Sequence, residues 1–531
     1  MTMMARSARR LSLALGVVTA LIAAPPAVHA QTLRWSFGAD VPELDPQARR
    51  IVFARSFMAN IMEPLVRYDK QLQIEPILAE RWELVEPDRW RFHLRRNVTF
   101  SDGKSFSADD VVATFKRGMD AKSPFRGVFA GVKNIEAVDP NTVDIRTNGP
   151  YPILIRDLTD ILIFSGKWLE EHNALAPVDP TKGEESYTLR NIMGTGPFKL
   201  RSFTPDSQIV LDVNPIWWNA AKKEHNLTEV IFRPIKSAST RVAAILSNEL
   251  DMIYPLPLQD VDRITSTQGL KVIEGPDITT MYLGMRIAQE TLASGEKNPF
   301  RDVRVRQAIY RAIDTKLLVD RIMRGKATEA TVLMSPYHRG YDPRFAGRSE
   351  PVDPDGARKL LADAGYPNGF SASMVCPNDR YVNDQQICLA IVSMLARVGI
   401  KIELQAVPGA RWLPMMNNAE TDMWVAAWTA VGTIDAHSFL HAIIHSQKGN
   451  KGGFNAGRYS NERVDELEAA IAKETDEAKR NALIYEAFSI HRKELPQIPL
   501  LQPKLTWATR SNVDVTQLAN SNFDLRWVRI R

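Results

Sequence analysis

The segment DAHSFLHAIIH, Asp435 to His445, concentrates side chains that could do chemistry. His437, His441 and His445 fall at i, i+4 and i+8, so a helix would set them in one row. Neighbouring histidines on such a row are spaced for a transition metal. All three span too long a rise for one ion, because each turn adds about 5.4 Å. Two of them with a residue from elsewhere in the chain could hold zinc or nickel. A packed helix face meets the same spacing with no ion, and this is the reading adopted; no metal ligand set is assigned. His437, nearest the acid, is the histidine expected to reach a bound ligand. Asp435 suits an ammonium partner, since a buried carboxylate needs one.

Flat rings lie just upstream. Trp412, Trp424 and Trp428 are three of the eleven tryptophans and sit close together in the chain. Such rings stack on peptide bonds, side chains or sugar faces without demanding one partner. Signatures of covalent chemistry are thin. There is no Gly-x-Ser-x-Gly elbow, no phosphate-cradling lysine loop and no His-Glu-x-x-His pair. The glycine-rich GTGPF at 194–198 reads as a turn into the strand FKLRSF. A binding protein needs only a cleft, aromatic walls and a few oriented polar groups.

The chain start reads as an export signal. Arg6, Arg9 and Arg10 precede the apolar run LSLALGVVTALIAA, and small residues at Val28 and Ala30 suit cleavage before Gln31. Losing three arginines brings the formal charge from +5 to about +2. That balance supports neither a nucleic-acid nor a membrane-surface partner. Cys376 and Cys388 are the two cysteines. In an oxidising compartment they are read as one disulfide between a loop and the start of a helix.

With 531 residues the chain exceeds one ordinary core. The elements mix. LRWSF, the run from Arg81 to Gly103, and the hairpin 134–138 with 143–147 read as strands. Ser107 caps a helix from Ala108, and Asp353-Pro354 opens another that Gly365 closes. A helix from Asp384 to Val398 stops at Gly399 and leads into the strand IKIELQAV, giving an α/β unit over roughly 355–410.

Several ordered stretches resemble one family. They are LDPQ at 44–47, EPLVRYD at 63–69, the long run at 76–117, GTGPFKL, NPIWW, SNELD, ARKLLADAGYPNG and FNAGRYSNERVDELEAA. The chain resembles the periplasmic solute-binding proteins of ABC importers that handle dipeptides, oligopeptides, nickel complexes and opines. The resemblance implies an α/β fold of two lobes joined by hinge strands, with an additional domain inserted in the larger lobe. The expected layout is a signal over 1–30, the first lobe over 31–75 and 200–285, the inserted domain over 76–199, the second lobe over 286–500, and a return over 501–531. It also implies a periplasmic monomer that works with an inner-membrane permease and its ATPase, without cofactor or catalysis.

Peptide-binding members hold the ligand ammonium group with an aspartate shortly after a tryptophan. Counting back from Phe439-Leu440 places that acid on Asp435, after Trp428. Counting forward from Trp428 leaves one extra residue, and two family positions fall on Val431 and Ala436. The departure leaves a peptide-like solute, an opine, a nickel chelate or another non-peptide nutrient open. A glycan, or a secreted hydrolase or chaperone-like role, stands further off. Tyr282 lies on the strand that resembles the family's cleft strand. Arg55 and Arg411 are candidates for a ligand carboxylate.

Overall fold

The computed structural model describes residues 31–531 apart from 431 and 450. The export signal expected over 1–30 lies outside the described residues. Among the described residues no helix is long and apolar enough to cross a membrane.

Two α/β lobes share one long antiparallel strand, Gln497–Arg510. Its first half pairs with Thr280–Met285 and Ala327–Glu329, and its second half with Met252–Tyr254 and Leu270–Pro276. In the first lobe, Thr32–Phe37 runs parallel to both Glu229–Phe232 and Met252–Tyr254. In the second, Phe370–Pro377 runs parallel to Ile400–Val407 and Met423–Trp428. Met423–Trp428, inside the sheet, is buried along most of its length, whereas the edge strand Ile400–Val407 alternates apolar with polar residues. Gln497–Arg510 and the crossing near Thr280 make the hinge region.

An inserted subdomain adds a four-stranded antiparallel sheet built from Ala79–Glu86, Arg89–Leu94, Thr142–Thr147 and Val132–Asp139. Alternation sets its faces. Phe92 and Leu94 enter the core, while Arg91 points outward and meets Asp144 of the neighbouring strand at 2.7 and 2.8 Å. Helix Ala108–Met119 packs against this sheet, and Asp110 accepts the Ser107 N–H at 2.8 Å, satisfying a donor at the helix start. The subdomain shares its apolar core with the first lobe.

Gly194 and Gly196 are needed for more than a turn. A Cβ on either would strike the backbone of Ile61. The glycines let two chain segments touch, and Gly196 N–H donates to the Ile61 carbonyl at 2.9 Å.

Cys376 and Cys388 form a disulfide with Cα atoms 6.4 Å apart. It ties the end of strand Phe370–Pro377, not a loop, to helix Asp384–Ala396.

Candidate functional site

Between the lobes lies a cleft of about 700 Å³, a size suited to a small ligand. Each lobe contributes a different kind of wall. Strand Met423–Trp428 and helix Gly409–Asn417 of the second lobe present Trp428 and Trp412, and strand Thr280–Met285 presents Tyr282. Tyr381 and Phe454 extend this aromatic side, with the Trp428 and Phe454 rings 4.9 Å apart. Arg380 stands at its rim, its Nε–H donating to the Tyr381 hydroxyl at 3.0 Å.

The first lobe brings fixed charge. Arg55, on helix Val52–Met58, is an ion-pair partner of Asp160 at 3.1 Å. Arg50 lies one turn before it and is exposed to the cleft. Asp157 accepts a hydrogen bond from the Tyr151 hydroxyl. Burial pushes the Asp157 carboxyl up to about 7, against the Tyr151 hydrogen bond and with Asp160 and Asp435 adding to the rise; Arg50 opposes it. The wall thus holds one acid already paired with an arginine and a second whose carboxyl is pushed up toward neutrality. Gly432 closes the floor, since a Cβ there would stand 2.8 Å from Asp160 Oδ2. The Tyr68 hydroxyl donates to the Thr433 carbonyl at 2.8 Å, so the 432–433 loop of the second lobe already touches the first.

Four of the residues singled out in the sequence line this cleft: Trp428, Trp412, Tyr282 and Arg55. Three stand elsewhere. Asp435, expected to face a ligand ammonium group, is fully buried and clasped by Arg480 at 2.7 and 3.0 Å. Burial would raise its pKa, but the Arg480 charge and hydrogen bonds, with the His437 N–H, hold it lowered. Its partner comes from the protein, on the far helix Glu477–Glu494. His437, expected to touch ligand, turns away from the cleft and donates from Nε2 to Glu468 at 2.9 Å. Arg411 is exposed on the outer side of helix Gly409–Asn417. Trp424 is also buried, lying over Gly284, where a Cβ would strike the indole.

Tyr151, Asp157 and Asp160 were missed from sequence. The signal available was YPILIRDLTD, where two acids and a tyrosine interrupt an apolar stretch. Nothing in that pattern says which way the short helix Leu154–Asp157 faces.

An aromatic and charged cleft between hinged lobes is the site of a solute-binding protein. A model of the bacterial extracellular solute-binding proteins, family 5 (middle), matches residues 73–451. The chain belongs to that family, and so to the non-catalytic proteins that capture a small solute in the periplasm for an ABC importer. Among curated relatives, the glutathione-binding protein GsiB of Shigella dysenteriae is 28% identical over 525 residues, covering 96% of each chain. Two solved structures share the fold. HbpA2 of Haemophilus parasuis superposes with a TM-score of 0.80 at 24% identity, over 94% of this chain and all of that one. DppA of Helicobacter pylori, in complex with the peptide STSA, gives 0.74 at 24% identity, over 94% of this chain and 98% of that one.

Proposed function

We propose that the solute is a short peptide or peptide-like molecule carrying both an ammonium and a carboxylate group. The observation that carries this reading is the charge layout of the cleft. Asp157 and Asp160 stand beside Arg50 and Arg55 on one wall, and Arg380 stands on the other beside the aromatic rings. An ammonium group fits against Asp157, the acid without an arginine pair, and carboxylates fit the arginines. Trp412, Trp428 and Tyr282 would take the backbone or side chains between. The glutathione-binding relatives and the peptide-bound DppA are in keeping with this class.

The reading has a proton signature. Free Asp157 titrates near 7, and an incoming cation favours its ionised form. Binding at about pH 6 therefore releases a proton, and affinity rises as pH climbs from about 5.5 to 7.5. Calorimetry of short peptides in buffers of different ionisation enthalpy reads this directly. N-acetylation of the same peptide should weaken binding at least about tenfold, or 1.4 kcal/mol. Equal binding of blocked and free peptides, with no proton released, would place the ammonium group elsewhere and overturn the assignment to Asp157.

A further inference from the structure

The histidine row turns its back on the cleft and meets an acid. His437 Nε2 and His441 Nδ1 each lie 2.9 Å from the same oxygen, Oε1 of Glu468 on helix Glu462–Ile471. The three ligand-type atoms sit within 4.8 Å of one another. Glu468 is 1% exposed in its side chain, while His441 keeps 34% and opens the cluster to solvent. Two imidazole edges aimed at one carboxylate oxygen are more than a single hydrogen bond requires.

We propose that His437, His441 and Glu468 form a binding site for one divalent transition-metal ion of the zinc or nickel class, separate from the solute cleft. The donor set is two nitrogens and one carboxylate oxygen, which suits such an ion. Without metal, both imidazole N–H groups donate to Glu468. The opposite ring nitrogens, His437 Nδ1 and His441 Nε2, make no protein hydrogen bond among the described residues. Moving each ring proton to that nitrogen frees the inner lone pairs for the ion. Each nitrogen then parts from Oε1 by only a few tenths of an ångström, since metal–ligand bonds near 2.0–2.2 Å set tetrahedral donors about 3.3 Å apart. The fourth position opens to water on the His441 side. Lys451 holds the other carboxylate oxygen, Oε2, at 2.5 Å and so fixes the direction of Oε1, as outer partners of metal sites do. Asp465, 3.4 Å from His445 Nδ1, supplies a further negative charge nearby that offsets Lys451.

His445 takes no ligand place. It lies past the helical segment formed by His437–Phe439 and Leu440–Ile444, with φ −54 and ψ 143, and its Nδ1–H donates to the Ser446 carbonyl at 2.6 Å. Two residues of the same helix, Ser438 and Ala442, line the cleft on the opposite face, and the Trp428 indole donates to Ser438 Oγ at 3.2 Å. A bound ion would thus fasten the cleft wall from behind to Glu462–Ile471.

The test uses the full chain stripped with chelator and titrated with Zn²⁺ alone, with no peptide present, so it is independent of the solute assignment. One ion per chain should bind, and Co²⁺ should give the visible absorption of a four-coordinate site. His441→Ala, at a half-exposed position, should keep the fold and weaken binding by at least about 100-fold, the upper loss for an outer-shell partner. Glu468→Gln should do the same, with circular dichroism confirming the fold. No saturable binding at one equivalent, or binding that His441→Ala leaves unchanged, would overturn the site.

Discussion

At the residue scale, burial decides what a charged side chain can be for. Asp435 sits where the family pattern puts a ligand-holding acid, yet Arg480 has taken both of its oxygens. Both side chains are at most 1% exposed. Taking two charges out of water is costly, and the pair is tolerated because each neutralises the other. Removing one partner leaves the other stranded. Arg480→Met should therefore lower unfolding stability by about 3–5 kcal/mol, read as a lower urea midpoint. A variant with an unchanged midpoint but lost solute binding would return Asp435 to the cleft.

The acids that do face the cleft show the same rule in the other direction. Asp160 is held by Arg55, while Asp157 has a tyrosine hydroxyl for its nearest partner and stays partly protonated near neutral pH. The sequence marks both as carboxylates and cannot distinguish them. Arg55 and Tyr282 were legible because the family likeness put them near the site, and Trp412 and Trp428 because tryptophans cluster in that stretch of the chain. Asp435, His437 and Arg411 had the right types and the right neighbourhood, but Asp435 is taken by Arg480 from another helix, and His437 and Arg411 face away through a choice of helix face that only tertiary packing makes.

At the element scale, local signals served well. Ser107, Asp353 and Gly365 mark helix ends because unsatisfied backbone groups there need partners or a left-handed turn. The strand alternation in Arg89–Leu94 gave its buried face. Segment Ala436–His445 was harder. It is one helical turn, His437–Phe439, followed by a wider turn, Leu440–Ile444, and His445 lies beyond it. A uniform helix would have kept all three histidines in line.

The disulfide belongs at this scale as well. It joins a strand end to the helix that follows, across a separation of 12 residues in sequence. Constraining a loop of that size in the unfolded chain is worth about 3 kcal/mol. The double variant Cys376→Ala, Cys388→Ala should unfold at a clearly lower temperature than the parent. Equal melting temperatures would mean that the bridge carries no stability, and that packing of Ile387 and Ile391 alone holds the helix.

At the scale of the whole molecule, the sequence could not say how two α/β halves meet. Pairings such as Met281 with Leu501 and Met252 with Thr509 join residues more than two hundred positions apart. No local pattern encodes them. They make Gln497–Arg510 a shared spine, about which the lobes can close on a solute. The loop at 432–433 already reaches Tyr68 across the gap, and Ile434 beside it packs in a small apolar cluster with Tyr68 and Leu72.

Native mass spectrometry of the protein purified from its own periplasm, followed by denaturing release and identification of what it carried, tests the central claim most directly. The expected result is one solute, or a narrow set, of peptide-like mass bearing both amine and carboxylate, and lost on unfolding. A metal adduct in the native spectrum that His441→Ala removes while the solute remains would belong to the Glu468 cluster and leave the assignment intact. A neutral sugar, or a metal chelate as the only solute in the cleft, would contradict it.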